Sequence, residues 1–192
     1  QLRFTYLNAD ISAKSPSLNE LFTALRNPIY NAFDPQLSSL ANEYDLTHRD
    51  STYAGAGVFI DKDNFILASE YGYRKVPGFY VDMSSYYATV GYRIDNFIPY
   101  TSYAKSKMDQ NLKIDTSSDI TGLKVKLENI LKVQNVAQET KTLGLKYFIN
   151  ENLDLKVQYD HITPIGEGGG AYVRTDPNYH GNSDLNVLSF AL

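Results

Sequence analysis

The chain contains no cysteine and no tryptophan, and it has no long apolar run. Without cysteine it can form neither disulfides nor thiolate metal sites, although this does not fix the cellular compartment, because an oxidising environment permits disulfides without requiring them. A helix that spans a bilayer needs roughly 18 or more consecutive apolar residues, and the sequence has no such stretch. Gln1 leads directly into a strand pattern, so we expect no signal peptide within these residues, as in an exported protein after processing or truncation.

Net charge and aromatic content narrow the function classes. The 192 residues carry a net charge of −4, which argues against a nucleic-acid partner. The length suits one domain with a sizeable core or one small closed barrel. The 16 tyrosines and 9 phenylalanines fit the aromatic girdles of a membrane barrel, but they would also fit a tyrosine-rich soluble β-protein. A mean hydropathy of −0.35 does not decide between them, because only alternate strand residues of a barrel face lipid.

The segment Leu143–Asp160 is the most informative stretch of the chain. Leu143, Leu145, Tyr147 and Ile149 share one face up to the turn Asn150–Asn152, and the alternation then resumes. The residues between them are polar or glycine, with Phe148 the one apolar exception beside the turn. Because successive strand side chains point to opposite faces, this hairpin has one apolar face and one charged face. A strand with lipid on one side and water on the other requires that pattern.

The same period-two alternation, bounded by turn residues, predicts eight strands. The hairpin supplies the sixth and seventh. The others are Leu2–Asn8, Thr52–Ile60, Phe65–Arg74, Ser85–Ile94, Phe97–Lys107 and Asn186–Leu192.

The connections alternate strictly between short and long. Short turns at 61–64, 95–96 and 150–152 separate long segments at 9–51, 75–84, 108–141 and 162–185. This order places every tight turn at one end of the sheet and every long loop at the other, as in transmembrane β-barrels. Tyr92 and Tyr147 precede two of the short turns, where an aromatic belt would lie. The sequence therefore predicts one all-β domain over 1–192, an antiparallel up-and-down transmembrane β-barrel.

Two of the long segments carry further patterns. Ser17 and Glu20 match a capping box, and Leu18, Leu21, Phe22 and Leu25 share a helical face, so we expect a helix that ends before Pro28. This helix either narrows a pore or packs on neighbouring loops. In the third long segment, Leu123, Val125 and Leu127 alternate with charged residues and could form additional strands.

Residues 91–103, 145–162 and 186–192 together resemble the C-terminal portion of Gram-negative outer-membrane porins. The resemblance implies a passive diffusion channel for small hydrophilic solutes or ions, located in the cell outer membrane, in contact with outer-membrane lipid and often homotrimeric. Members of that family are usually about twice as long and commonly end on an aromatic residue, whereas this chain ends at Leu192. We therefore expect eight strands of a roughly sixteen-stranded barrel, although eight could close a narrow one.

Strand parity predicts the charged side chains that line the pore. Basic residues outnumber acidic ones in this set, which favours anions in a water-filled lumen, unless the charges only pair across strands and stiffen the wall. The predicted pore-lining residues are Arg3, Glu70, Arg74, Arg93, Lys105, Lys107, Lys146, Asp154, Lys156 and Asp160.

No motif predicts an enzyme, a metal ion or another cofactor. The three histidines His48, His161 and His180 have no ligand spacing, and His161 is interpreted as a residue at the rim of the barrel rather than a triad partner of Asp160 and Ser189. The glycine-rich segment 166–170 follows no strand-to-helix pattern, so it does not predict phosphate binding. The sequence leaves two alternatives to the channel open. They are an outer-membrane barrel enzyme of the lipase or protease type and a soluble lipocalin-like barrel that binds an apolar ligand.

Overall fold

The computed structural model describes residues 1–12, 15–45, 47–78, 82–108, 114–133, 136–165 and 183–192. Its main element is one antiparallel sheet in which the eight strands follow one another in chain order. The strands are β1 (Leu2–Ile11), β2 (Arg49–Lys62), β3 (Phe65–Lys75), β4 (Met83–Tyr92), β5 (Phe97–Met108), β6 (Gln138–Asn150), β7 (Leu153–Pro164) and β8 (Leu185–Ala191). The predicted all-β, up-and-down arrangement is confirmed.

The sheet is open. Within the described residues, β1 pairs only with β2 and β8 only with β7, so the eight strands do not close into a narrow barrel by themselves. Most strands extend beyond their predicted ends into the long segments, because backbone pairing continues after the apolar alternation stops. The long connections consequently shorten to residues 12–48, 76–82, 109–137 and 165–184.

Asp and Asn side chains explain the short turns. Asp63 and Asn64 between β2 and β3 have φ of 50° and 69°, the left-handed backbone that a two-residue type I′ hairpin requires. Asp95 between β4 and β5 has φ of 50°. Asn and Asp tolerate this conformation better than other non-glycine residues. A register shift between Phe148 and Asn150 marks the third short turn, next to the one apolar residue that breaks the polar alternation of β6.

Four helices lie in the long connections. α1 (Pro16–Leu25), α2 (Pro28–Phe33) and α3 (Gln36–Tyr44) follow β1, and α4 (Leu123–Val133) lies between β5 and β6. The predicted helix is confirmed, but its predicted capping box is wrong, because α1 begins at Pro16 and its N-cap is Ser15. The additional strands considered around Leu123–Leu127 are also wrong, since that segment is helical. None of the helices in the described residues is long and apolar enough to span a membrane.

The most deeply buried apolar side chains belong to the helices rather than to the sheet. Helix α1 packs against α3 and α4, and this helical cluster encloses Leu21, Leu25, Leu37, Leu127 and Leu131. The packing favours the second reading of the predicted helix, in which its apolar face contacts neighbouring loops.

One ion pair is buried inside the helical cluster. Lys124 of α4 is 1% exposed, and its Nζ lies 2.6 Å from Oδ2 of Asp34. The same Nζ donates a hydrogen bond of 2.9 Å to Oε1 of Gln36. Asp34 also accepts a hydrogen bond from the backbone N–H of Gln36 at the start of α3. The pair therefore joins the first long connection to the third.

Acid should weaken the start of α4. Burial raises the pKa of Asp119, but the backbone N–H of Val125 and the hydroxyl of Thr121 donate to its carboxylate, and the net pKa is below its usual value. A lowered folded-state pKa stabilises the fold above the unfolded pKa and loses that contribution as the pH falls through the folded one. We expect the hydrogen-exchange protection factors of α4, which are corrected for the intrinsic exchange rate, to fall below about pH 4, and Asp119→Asn to flatten this dependence. An unchanged pH profile in the variant would contradict the assignment.

Candidate functional site

The two faces of the sheet differ sharply in chemistry. The apolar face carries at least one large apolar side chain from every strand, and each of these is more than one third exposed. Phe4 is 79% exposed and Leu143 64%. Representative members are Phe4, Ile60, Phe65, Val90, Phe97, Leu143, Leu153 and Phe190. Exposed large apolar side chains on every strand of one face are unusual for a soluble monomer and mark a contact surface.

The opposite face, here called the polar face, carries most of the predicted pore-lining residues. The register between neighbouring strands places eight of the ten together on it. They are Arg3, Glu70, Arg74, Arg93, Lys146, Asp154, Lys156 and Asp160.

Lys105 and Lys107 do not belong to this set, so their predicted facing is wrong. Lys105 pairs in register with Tyr86 of β4 and with Glu139 of β6, which places all three on the apolar face. Its Nζ lies 2.5 Å from Oε1 of Glu139, and Lys107 shares its parity. Strand β5 mixes small, polar and aromatic residues on both faces. Its side-chain pattern therefore does not show which residues face which side of the sheet, and only the pairing with β4 and β6 does. The expected excess of basic residues on the polar face is smaller than predicted.

Two ion pairs connect the polar face across strands. Arg93 forms a bidentate pair with Asp61, with Nη1 3.2 Å from Oδ1 and Nη2 3.0 Å from Oδ2. The pair reaches from the end of β4 over β3 to β2. Lys146 Nζ lies 2.8 Å from Oδ2 of Asp154 on the facing strand β7. These contacts agree with the alternative in which some of the charges stiffen the wall.

Tyr100 forms the centre of a longer hydrogen-bond network. Its hydroxyl donates to Oε1 of Gln158 at 2.8 Å, and so reaches from β5 over β6 to β7. Gln158 Nε2 in turn donates to both oxygens of Asp160, at 3.0 and 2.8 Å. The hydroxyl of Thr142 on β6 donates to Oδ1 of the same carboxylate at 2.6 Å. These contacts join side chains of three neighbouring strands on the polar face.

The network depends on the absence of a side chain at Gly144. A Cβ at this position would lie 2.0 Å from Tyr100 Cζ, so the tyrosine ring occupies the space directly above the glycine. We expect Gly144→Ala to displace the ring and to cost about 1–3 kcal/mol of the free energy of unfolding, the usual range for overpacking. Chemical denaturation measures this cost. In a Tyr100→Ala background the same substitution should be nearly neutral, and an equal cost in both backgrounds would contradict the clash.

A second tyrosine ring lies over a glycine of the neighbouring strand, nearer to the end of the sheet that carries the long connections. The ring of Tyr53 on β2 covers Gly72 of β3, where a Cβ would lie 2.5 Å from the hydroxyl oxygen. That hydroxyl donates to Oε1 of Glu70 at 3.4 Å. Together with Tyr87 and Thr140 they line an open cavity of about 300 Å³ on the polar face. The cavity shows that this face has room for water or a small solute between its side chains.

The remaining predicted arginines are not part of an ion pair in the described residues. Arg3 on the edge strand β1 is exposed, and the Nε of Arg74 is buried without a hydrogen-bond partner. Asp61, Tyr100 and Gln158 were not predicted, because Asp61 lies in a predicted turn and the other two residues are uncharged. Gly144 inside a predicted strand was an available signal, because a glycine in a strand interior often marks a site where another group approaches closely, and here it lies opposite Tyr100.

The histidines do not assemble a catalytic or metal site. His161 lies on the apolar face, where Nδ1 is 2.9 Å from Oδ1 of Asn186, whereas Asp160 and Ser189 are on the polar face. His48 Nδ1 lies 3.0 Å from Oδ2 of Asp10 near the long connections. Across the described part of the chain, no three histidine, aspartate or glutamate side chains converge as metal ligands. His180 and the segment 166–170 lie outside the described residues.

Comparison with family models, with curated proteins and with solved structures finds no match to this chain. Functional inference therefore rests on the sheet itself.

Proposed function

We propose that this protein is a porin of a Gram-negative outer membrane, a passive diffusion channel for small hydrophilic solutes or ions. In this proposal the sheet is part of a closed barrel of roughly sixteen strands, with lipid on the apolar face and water on the polar face. Strand pairing at the free edges of β1 and β8 completes the barrel. Solutes are then selected by size and by the charges of the polar face, without a covalent step.

The single observation that supports this proposal most directly is the chemical contrast between the faces. Large apolar side chains on all eight strands point away from the polar network and remain exposed. A lipocalin-like barrel would instead need the apolar side chains to converge inside and the polar ones to spread outside. Here the bridging contacts, such as Tyr100 to Gln158 and Arg93 to Asp61, lie on the polar face.

Two aromatic bands on the apolar face give further support. Near the short turns, the rings of Phe97 and Tyr147 stack with centroids 4.6 Å apart. Towards the long connections, the rings of Tyr86 and Tyr103 have centroids 5.9 Å apart. Aromatic girdles at both membrane interfaces flank the apolar band of outer-membrane barrels.

The test is purification of the full-length protein followed by insertion into a planar lipid bilayer. We expect the protein to require detergent, to migrate differently on gels before and after heating, and to produce stepwise ion conductance. A protein that stays dispersed in plain buffer would overturn the membrane assignment. A detergent-dependent protein that leaves the bilayer silent but hydrolyses its lipid would instead be a barrel enzyme.

A further inference from the structure

Two lysines lie directly opposite each other on the polar face. Lys146 of β6 and Lys156 of β7 are partners in the strand register, and both belong to the parity of the polar face. Like charges at directly opposed positions of an antiparallel pair destabilise it. A sheet that retains such a pair needs a source of negative charge nearby.

Within the part of the chain that the structure describes, one carboxylate pairs with the two ammonium groups. Asp154 lies 2.8 Å from Lys146 Nζ. Among the described residues, Lys156 forms no ion pair; its Nζ instead lies 5.4 Å from the centroid of the Tyr100 ring. An aromatic ring attracts a cation but does not neutralise it. The cluster of Lys146, Lys156 and Asp154 therefore keeps an excess positive charge.

The ammonium group of Lys156 lies over a tyrosine ring that is itself well positioned. The tyrosine ring beneath it lies over Gly144, and its hydroxyl is bonded to Gln158. Lys156 itself is exposed, so an ion in the aqueous space beside the polar face can reach its ammonium group. An ammonium group that already rests on an aromatic ring loses less side-chain entropy when it binds an ion than a freely moving lysine would.

We propose that Lys156, beside the neutralised pair of Lys146 and Asp154, forms an anion site on the polar face, near the short-turn end of the sheet. The ligands are small anions such as chloride and inorganic phosphate. This inference rests on the proposed channel function and gives it a selectivity, since a cationic site in the wall of an aqueous pore attracts anions and disfavours cations. The preference comes from the local excess of positive charge at this position rather than from the total charge of the face.

The test is the reversal potential of the reconstituted channel in a potassium chloride gradient. We expect the wild-type channel to prefer chloride, and Lys156→Gln to lower the chloride-to-potassium permeability ratio roughly threefold, as expected for loss of one charge a few ångströms from the ion in water. Lys156→Arg should retain the ratio. Inorganic phosphate should reduce the chloride current of the wild-type channel more than that of Lys156→Gln.

A matched control separates a local site from a general field. Lys141 is on the same strand as Lys146 but on the apolar face, and it is exposed. Lys141→Gln makes the same change in net charge and should leave the permeability ratio unchanged. An equal effect of both substitutions, or a conducting wild-type channel without chloride preference, would overturn the anion site while leaving the channel intact. A bilayer without conductance would overturn the channel, and the anion site with it.

Discussion

Lys124→Met should destabilise the helical cluster by about 3–5 kcal/mol, the usual cost of removing one partner from a buried ion pair. Methionine has a stem of similar length and fills the apolar part of the space. The carboxylate of Asp34, however, then stays buried without the ammonium group that lies 2.6 Å from it in the native protein. Hydrogen exchange of α1, α3 and α4 in the full chain measures the loss directly.

A second substitution distinguishes lost charge compensation from lost packing. In Lys124→Met with Asp34→Asn no uncompensated charge remains, and the asparagine oxygen can still accept the backbone N–H of Gln36. Replacing both members of a buried pair is often close to neutral. We therefore expect the double variant to recover most of the protection that the single variant loses. A double variant as unstable as the single one would show that Lys124 acts through packing alone.

Val157→Arg should prevent or delay assembly in the membrane, at a cost of roughly 2–4 kcal/mol if the residue lies near the bilayer midplane. Val157 is on the apolar face of β7, between Leu145 of β6 and Phe190 of β8 in the register. A guanidinium group there must be transferred from water into hydrocarbon. The fraction of heat-modifiable protein on gels, and the unfolding free energy in lipid, measure the effect.

The control for this substitution is a residue of the neighbouring strand β8, at nearly the same height but on the opposite face of the sheet. Ser189 of β8 pairs with Gln158, the neighbour of Val157, and is exposed on the polar face. Ser189→Arg introduces the same group at nearly the same depth, but into the proposed aqueous space, and should assemble normally. If Ser189→Arg failed while Val157→Arg assembled, the proposed positions of lipid and water would be inverted.

Where apolar and polar residues alternate over a whole strand, the sequence predicted the strands of the sheet correctly. All eight strands were predictable because a half-buried strand repeats every two residues, and the Asp–Asn turns define their ends. The pattern failed where it was short. Leu123, Val125 and Leu127 alternate over only five residues, whereas Leu123, Leu127 and Leu131 follow the helical spacing that the structure adopts.

The site was harder to predict, because the face on which a side chain lies depends on the pairing between neighbouring strands. Strand β5 has no consistently apolar row, so Lys105 and Lys107 could only be placed by their partners on β4 and β6. The buried pair of Lys124 and Asp34 joins residues 90 positions apart, and no local pattern encodes such a contact. Whether a sheet closes into a barrel depends on the number of strands and on the stagger between them. The alternation of apolar and polar residues contains no information on either.

Gly144 has a consequence for how the sheet finds its alignment during assembly. Hydrophobic alternation penalises a one-residue slip between two strands, because every side chain then changes face. It does not penalise a two-residue slip, which preserves both faces. Such a slip of β6 along β5 would bring Thr142 or Lys146 beneath Tyr100, where only a glycine fits. The tyrosine ring over glycine thus disfavours a two-residue misalignment in either direction, which the alternation of apolar and polar side chains alone would allow.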